Sequence, residues 1–203
     1  NEVVADLWIE VSDEAAVEAP TPYAHGPVLY YGSSITEGGC ACNAFNAYTM
    51  LISRHLDLDF YNFGFSNSAK GELAMADYIN TIPMRAFIMD YDHNAPSAEH
   101  LWNTHEAFFR RIREKHPTLP VLFLTMPAAE YSEGKKARRA AVRATYDNAV
   151  AAGDKNVWFI DGETLLAGED AWLCTVDNTH PNDFGFHRMA AVIEPIVREM
   201  LGG

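Results

Sequence analysis

Two short stretches near opposite ends of the chain carry residue types that together can perform acyl transfer. Tyr31-Gly32-Ser33-Ser34-Ile35-Thr36 presents two adjacent serine hydroxyls after a glycine. A serine hydroxyl is a weak nucleophile until a base takes its proton. Val176-Asp177-Asn178-Thr179-His180-Pro181 offers that base, with a carboxylate three residues ahead of an imidazole. At this spacing a tight turn lets Asp177 receive Nδ1–H of His180 and leaves Nε2 to accept the serine proton. Either stretch alone is commonplace in loops and turns. Their conjunction supplies nucleophile, base and orienting carboxylate.

Acyl transfer also needs donors aimed at the oxyanion. Two more polar stretches offer them: Asn62-Phe63-Gly64-Phe65-Ser66-Asn67-Ser68 and Asp90-Tyr91-Asp92-His93-Asn94-Ala95-Pro96. In the second, Asn94 is read either as an amide aimed into a crevice or as a plain turn asparagine ahead of a helix. His93, beside it, is read as lining or supporting the crevice.

Residues so far apart in sequence need a scaffold that gathers them. Short β-branched or aromatic runs at residues 28–32, 59–64, 86–90, 121–125 and 157–160 predict five strands, mostly apolar as expected for a sheet covered on both faces. Helical patterns fall at 44–55, 72–80, 98–115, 135–152 and about 183–201. In the helix over 98–115, Ser97 is a cap, and Leu101, Phe108, Phe109 and Ile112 share one face. This alternation predicts an α/β fold, a three-layer α/β/α sandwich around a five-stranded parallel sheet of flavodoxin-like type. Ligands of such sheets bind beyond the carboxyl ends of the strands. Ser34, Asn67 and Asn94 each follow a strand. Upstream, the alternation at Asp6-Leu7-Trp8-Ile9-Glu10-Val11 predicts a strand, followed by a stiff connector at Glu18-Ala19-Pro20-Thr21-Pro22. Residues 1–26 are thus read as an N-terminal strand and linker, the end of an upstream β domain, and 27–203 as the catalytic domain.

The 203 residues, 48% hydrophobic and 21% charged, suit one soluble globular domain. A net charge of −13 argues against nucleic acid as a partner, and the basic run from Lys135 to Arg143 reads as a solvated helix face. No apolar run reaches the ~20 residues that cross a bilayer, so no membrane partner is expected. Cys40, Cys42 and Cys174 lack the paired spacing of a zinc site. His93 and His187 belong to no His-Glu-x-x-His pattern, so no metal or other cofactor is expected.

Taken in order, the four polar stretches resemble the blocks of the SGNH hydrolases, a branch of the GDSL esterases and lipases, over residues 28–201. The fuller pattern looks most like the subgroup with an extra β-rich domain ahead of the catalytic one. The resemblance implies Ser34 as nucleophile, Asp177 and His180 as its partners, and an oxyanion hole from the Ser34 and Asn67 backbone N–H groups and the Asn94 side chain. There are two departures. The Asp of the GDS motif is Ser33 here, and the glycine of the second block is Asn67, which tolerates a left-handed backbone better than most residues. The implied function is a serine esterase or acylhydrolase. The absence of a long apolar lid favours a small, polar or carbohydrate ester. Two alternatives stand beside it: an acyltransferase using the same acyl-enzyme, and a non-catalytic carbohydrate-binding module, against which the intact Ser34, Asn94, Asp177 and His180 argue. Compartment and oligomeric state are left open.

Overall fold

The computed structural model describes residues 5–128 and 132–202. Five strands, β1 (His25–Gly32), β2 (Leu58–Gly64), β3 (Ala86–Asp90), β4 (Val121–Leu124) and β5 (Val157–Ile160), form one parallel sheet in the order β2-β1-β3-β4-β5. The helices are α1 (Ser34–Glu37), α2 (Tyr48–Leu56), α3 (Leu73–Ile79), α4 (Ala98–Lys115), α5 (Glu133–Ala151), α6 (Gly162–Leu165) and α7 (Asp183–Met200). The expected α/β sandwich with a five-stranded parallel sheet is the fold observed.

Period-two alternation sorts the strand residues into two cores. Val28, Tyr30, Ile88 and Leu122 face Tyr48 and Ile52 of α2 and Phe186, Met189 and Ile193 of α7. Leu29, Tyr31, Phe87, Met89 and Phe123 face Ala76 of α3, Phe108 and Ile112 of α4, and Val142 of α5. Because both faces are covered, the strands read as apolar runs with few polar interruptions.

The chain leaves β1 for β2 on one side and returns to lay β3 on the other, so the order switches between β1 and β3. Connections diverge at such a point and leave a crevice beyond the strand ends. Ser34 and Asn94 follow these two strands.

Two expectations need correction. The helix expected over 44–55 is broken: a 3-10 turn at Ala44–Asn46 is capped by the Asn43 side chain, Ala47 is extended at ψ 142°, and α2 starts only at Tyr48. Asn43 satisfies the Phe45 N–H locally, and this competes with a continuous helix. The strand expected at Asp6–Val11 does not form. Leu7, Trp8 and Ile9 are 81%, 87% and 79% exposed, and the segment pairs with neither edge strand of the sheet. Alternation marks a face that can be buried, but a strand also needs a neighbour for its backbone N–H and C=O groups.

Candidate active site

The two serines at the end of β1 have different fates. Ser33 is fully buried and caps α1: its hydroxyl accepts from Ile35 N at 3.1 Å, and its own N–H donates to Thr36 Oγ1 at 3.1 Å. Thr36 in turn donates to Asp90 Oδ2 at 2.8 Å, and Tyr48 donates to the same oxygen at 2.9 Å. Gly32 permits this closeness, because a Cβ there would lie 1.9 Å from Thr36 Oγ1 and 2.5 Å from the Asp90 carbonyl. With Ser33 committed to the cap, Ser34 turns its hydroxyl toward His180, with Oγ 2.9 Å from Nε2.

His180 is held by a turn between α6 and α7. Thr175 and Pro181 form an isolated antiparallel bridge, Val176 N donates to the His180 carbonyl at 3.0 Å, and Asn178 takes a left-handed φ of 63°. Inside this turn Asp177 Oδ1 accepts the backbone N–H groups of Thr179 at 3.0 Å and His180 at 2.7 Å. Its Oδ2 lies 2.7 Å from His180 Nδ1. The His180 N–H groups, and then that of Thr179, hold the Asp177 carboxyl below its ordinary pKa. A carboxylate here accepts from Nδ1–H and leaves Nε2 as the acceptor facing Ser34. Gly185 lets the first turn of α7 approach closely, since a Cβ there would come within 2.2 Å of the Cys174 carbonyl.

The asparagines lie on the two neighbouring strand-end loops. Asn94 ends a 3-10 turn at Asp92–Asn94 and is buried. Its Nδ2 donates to the Phe65 carbonyl at 2.7 Å, which orients the amide with its nitrogen toward the second loop. An amide nitrogen has two hydrogens, so one remains for another acceptor. Asn67 is exposed, with φ 56°, a left-handed position that a glycine would fill without strain. The loop before it is pinned by Phe65 N donating to the Gly32 carbonyl at 2.9 Å. His93 meets His180 edge to face, with ring centroids 6.0 Å apart. Burial above all, with the positive charges of Arg138 and Lys135, pushes its pKa down to about 4, so it is neutral at neutral pH.

Sequence reasoning passed over the buried carboxylate beneath the Ser33-Ser34 turn. Burial pushes Asp90 up to about 6, opposed by the hydroxyls of Thr36 and Tyr48. The available signal was a lone charge ending the apolar strand Ala86-Phe87-Ile88-Met89-Asp90. Cys40, Cys42 and Cys174 are free thiols, and among the described residues no three His, Cys, Asp or Glu side chains converge as a metal site.

A hydroxyl, an imidazole and a carboxylate in one hydrogen-bonded line, beside an amide donor, are the parts that acyl transfer requires. The family model of GDSL-like lipases and acylhydrolases matches residues 25–198. The chain belongs to this family. Among solved structures, a GDSL-like lipase candidate from Bacteroides ovatus is 30% identical with a TM-score of 0.84, over 94% of this chain and 58% of its own. The salicylyl-acyltransferase SsfX3 of a tetracycline biosynthetic pathway is 18% identical with a TM-score of 0.75, over 90% of this chain and 56% of its own. A family two carbohydrate esterase from Clostridium thermocellum, in complex with cellohexaose, is 15% identical with a TM-score of 0.73, over 92% and 67%. This GDSL-like chain therefore spans little more than half the length of the first two proteins, and the latter two likenesses concern the fold alone. No curated protein matches the sequence.

Proposed function

We propose that the chain is a serine esterase acting on a small, polar or carbohydrate ester through an acyl-enzyme on Ser34. The observation that carries this reading is the line Ser34 Oγ, His180 Nε2 at 2.9 Å, and His180 Nδ1 to Asp177 Oδ2 at 2.7 Å. In the proposed reaction Ser34 Oγ attacks the ester carbonyl while its proton passes to His180 Nε2. Asp177 keeps the imidazole in the productive tautomer and stabilises the imidazolium that forms. The carbonyl π electrons move onto the oxygen, which is met by the Ser34 and Asn67 N–H groups and by Asn94 Nδ2. The Ser34 N–H lies in the first turn of α1, where the helix itself offers no acceptor. As the tetrahedral intermediate collapses, the alcohol leaves with the proton from His180. Water, activated by the same imidazole, then releases the acid. His93 is the neutral wall against which the acyl or alcohol group rests.

The carbohydrate part of the proposal is supported by the family two carbohydrate esterase among the structural neighbours. The acyltransferase neighbour keeps transfer to an added hydroxyl as the second reading. It differs only in what resolves the acyl-enzyme.

The reading is tested with a short-chain aryl ester and a serine-directed organophosphate. Ser34→Ala is expected to abolish turnover, and intact-mass analysis of the wild type should show one phosphoryl adduct, located at Ser34. Ser33→Ala should remain a catalyst, though less stable by about 1 kcal/mol through loss of the α1 cap. Full activity in Ser34→Ala would overturn the proposal. Product analysis with and without an added alcohol separates hydrolysis from transfer.

A further inference from the structure

The loop that carries Asn94 is held by a cation from outside the sheet. Arg138 stands on α5, and its Nη1 donates to the Asp92 carbonyl at 3.0 Å and also to the Ala95 carbonyl. Its Nη2 donates to the Pro96 carbonyl at 3.3 Å. Asp92 and Ala95 bracket the 3-10 turn that ends in Asn94, so one guanidinium bridges both ends of it. The turn has few bonds of its own: Asn94 N to the Tyr91 carbonyl at 3.0 Å and Ala95 N to the Asp92 carbonyl at 3.3 Å. A second restraint joins the loop to the end of β4, where Asp92 Oδ2 accepts from Met126 N at 3.1 Å.

Among the described residues Arg138 makes no ion pair, although the protein has 28 carboxylates against 15 Lys and Arg. Its planar fork of donors goes to the carbonyls of one loop. The mount is rigid, for Ala141, Val142, Thr145 and Ala149 bury α5 against the sheet, and Thr145 Oγ1 bonds His105 of α4 at 2.8 Å. A donor to an oxyanion works only when held to within a fraction of an ångström of the place where charge develops. We infer that Arg138 is a positioning residue for the Asn94 amide: it clamps the Asp92–Pro96 carbonyls so that Nδ2 already faces the oxyanion when Ser34 attacks.

This inference rests on the proposed acyl-enzyme reading and goes further, since it ties activity to a residue that touches no substrate. The test is a double-mutant cycle in kcat with a short-chain aryl ester. Arg138→Gln should lower kcat by ~10- to 100-fold, as expected for a small misplacement of a reacting group, with KM nearly unchanged. Arg138→Lys restores the cation without the fork and should recover part of the loss. In an Asn94→Ala background, Arg138→Gln should have almost no further effect, because the group it positions is gone. Loss of the same factor in that background would overturn the inference, since a general structural role does not depend on Asn94. So would an unchanged kcat in Arg138→Gln with Asn94 intact. If Arg138→Gln fails to fold, Arg138→Lys closes the same cycle. Failure of the underlying reading is separate: it shows as an active Ser34→Ala, whereas failure of the clamp shows as additive losses with Ser34→Ala inactive.

Discussion

At the scale of single residues, the two proposed asparagine donors differ in which of their atoms acts. Asn94 would act through its side chain, since Nδ2 is aligned by the Phe65 carbonyl and keeps a second hydrogen for the oxyanion. Asn94→Ala is expected to lower kcat by ~10²-fold or more with little change in KM, because the bond strengthens only as charge develops. Asn67 would act through its backbone N–H. At φ 56° the side chain is tolerated, not required, so Asn67→Gly should keep or raise kcat. Asn67→Val should lower it, because a β-branched residue resists that conformation. Equal losses in the two Asn67 variants would show that the side chain itself is used. The loop that carries this left-handed backbone is pinned by Phe65 N on the Gly32 carbonyl. The residue type at 67 was compatible with it and did not demand it.

At the scale of elements, the site depends on how closely α1 can fold back onto the ends of β1 and β3. The chain of hydrogen bonds from Ser33 N through Thr36 Oγ1 to Asp90 and Tyr48 joins α1, β3 and α2 beneath the proposed nucleophile. Gly32 is the hinge of that closeness. Gly32→Ala would press a methyl group into Thr36 Oγ1 and the backbone carbonyl of Asp90, which cannot swing aside as a flexible side chain would. Overpacking of this kind typically costs about 1–3 kcal/mol. A lower urea midpoint with an unchanged m-value is therefore expected, accompanied by weaker activity as Ser34 shifts from His180. An unchanged midpoint would mean that the turn relaxes freely. The bounds of α4 were evident in advance because Ser97 and the Leu101, Phe108 and Ile112 spacing are local signals. The break before α2 was missed because Asn43 competes for a backbone N–H that a helix-length pattern assigns to the helix.

At the scale of the whole molecule, the fold holds two carboxyls beside the proposed site at a cost that depends on pH. Burial raises Asp92 to about 7, with Asp90 adding to the rise and the Met126 N–H and Arg138 opposing it, while Asp90 itself is raised to about 6. Against an unfolded value of 3.8, the folded chain holds these protons to higher pH, so between about 4 and 7 the unfolded state binds fewer. The stability these groups contribute is complete below about pH 4 and is lost as pH rises through 6 to 7. Asp92→Asn keeps an acceptor for Met126 N–H and stays neutral, so its Tm should gain on the wild type between pH 5 and pH 8. A constant difference over that range would place Asp92 at an ordinary carboxylate pKa. Sequence alone determined the parallel α/β architecture, the strand-end placement of Ser34, Asn67 and Asn94, and the turn joining Asp177 to His180, because periodicity and short spacings act over a few residues. Only the tertiary structure decided that Ser33 is a buried cap while Ser34 faces His180, that Arg138 grips the loop of Asn94, and that Asp6–Val11 pairs with no strand among the described residues. Each of these depends on a partner distant in the chain, and neither period nor propensity carries that information.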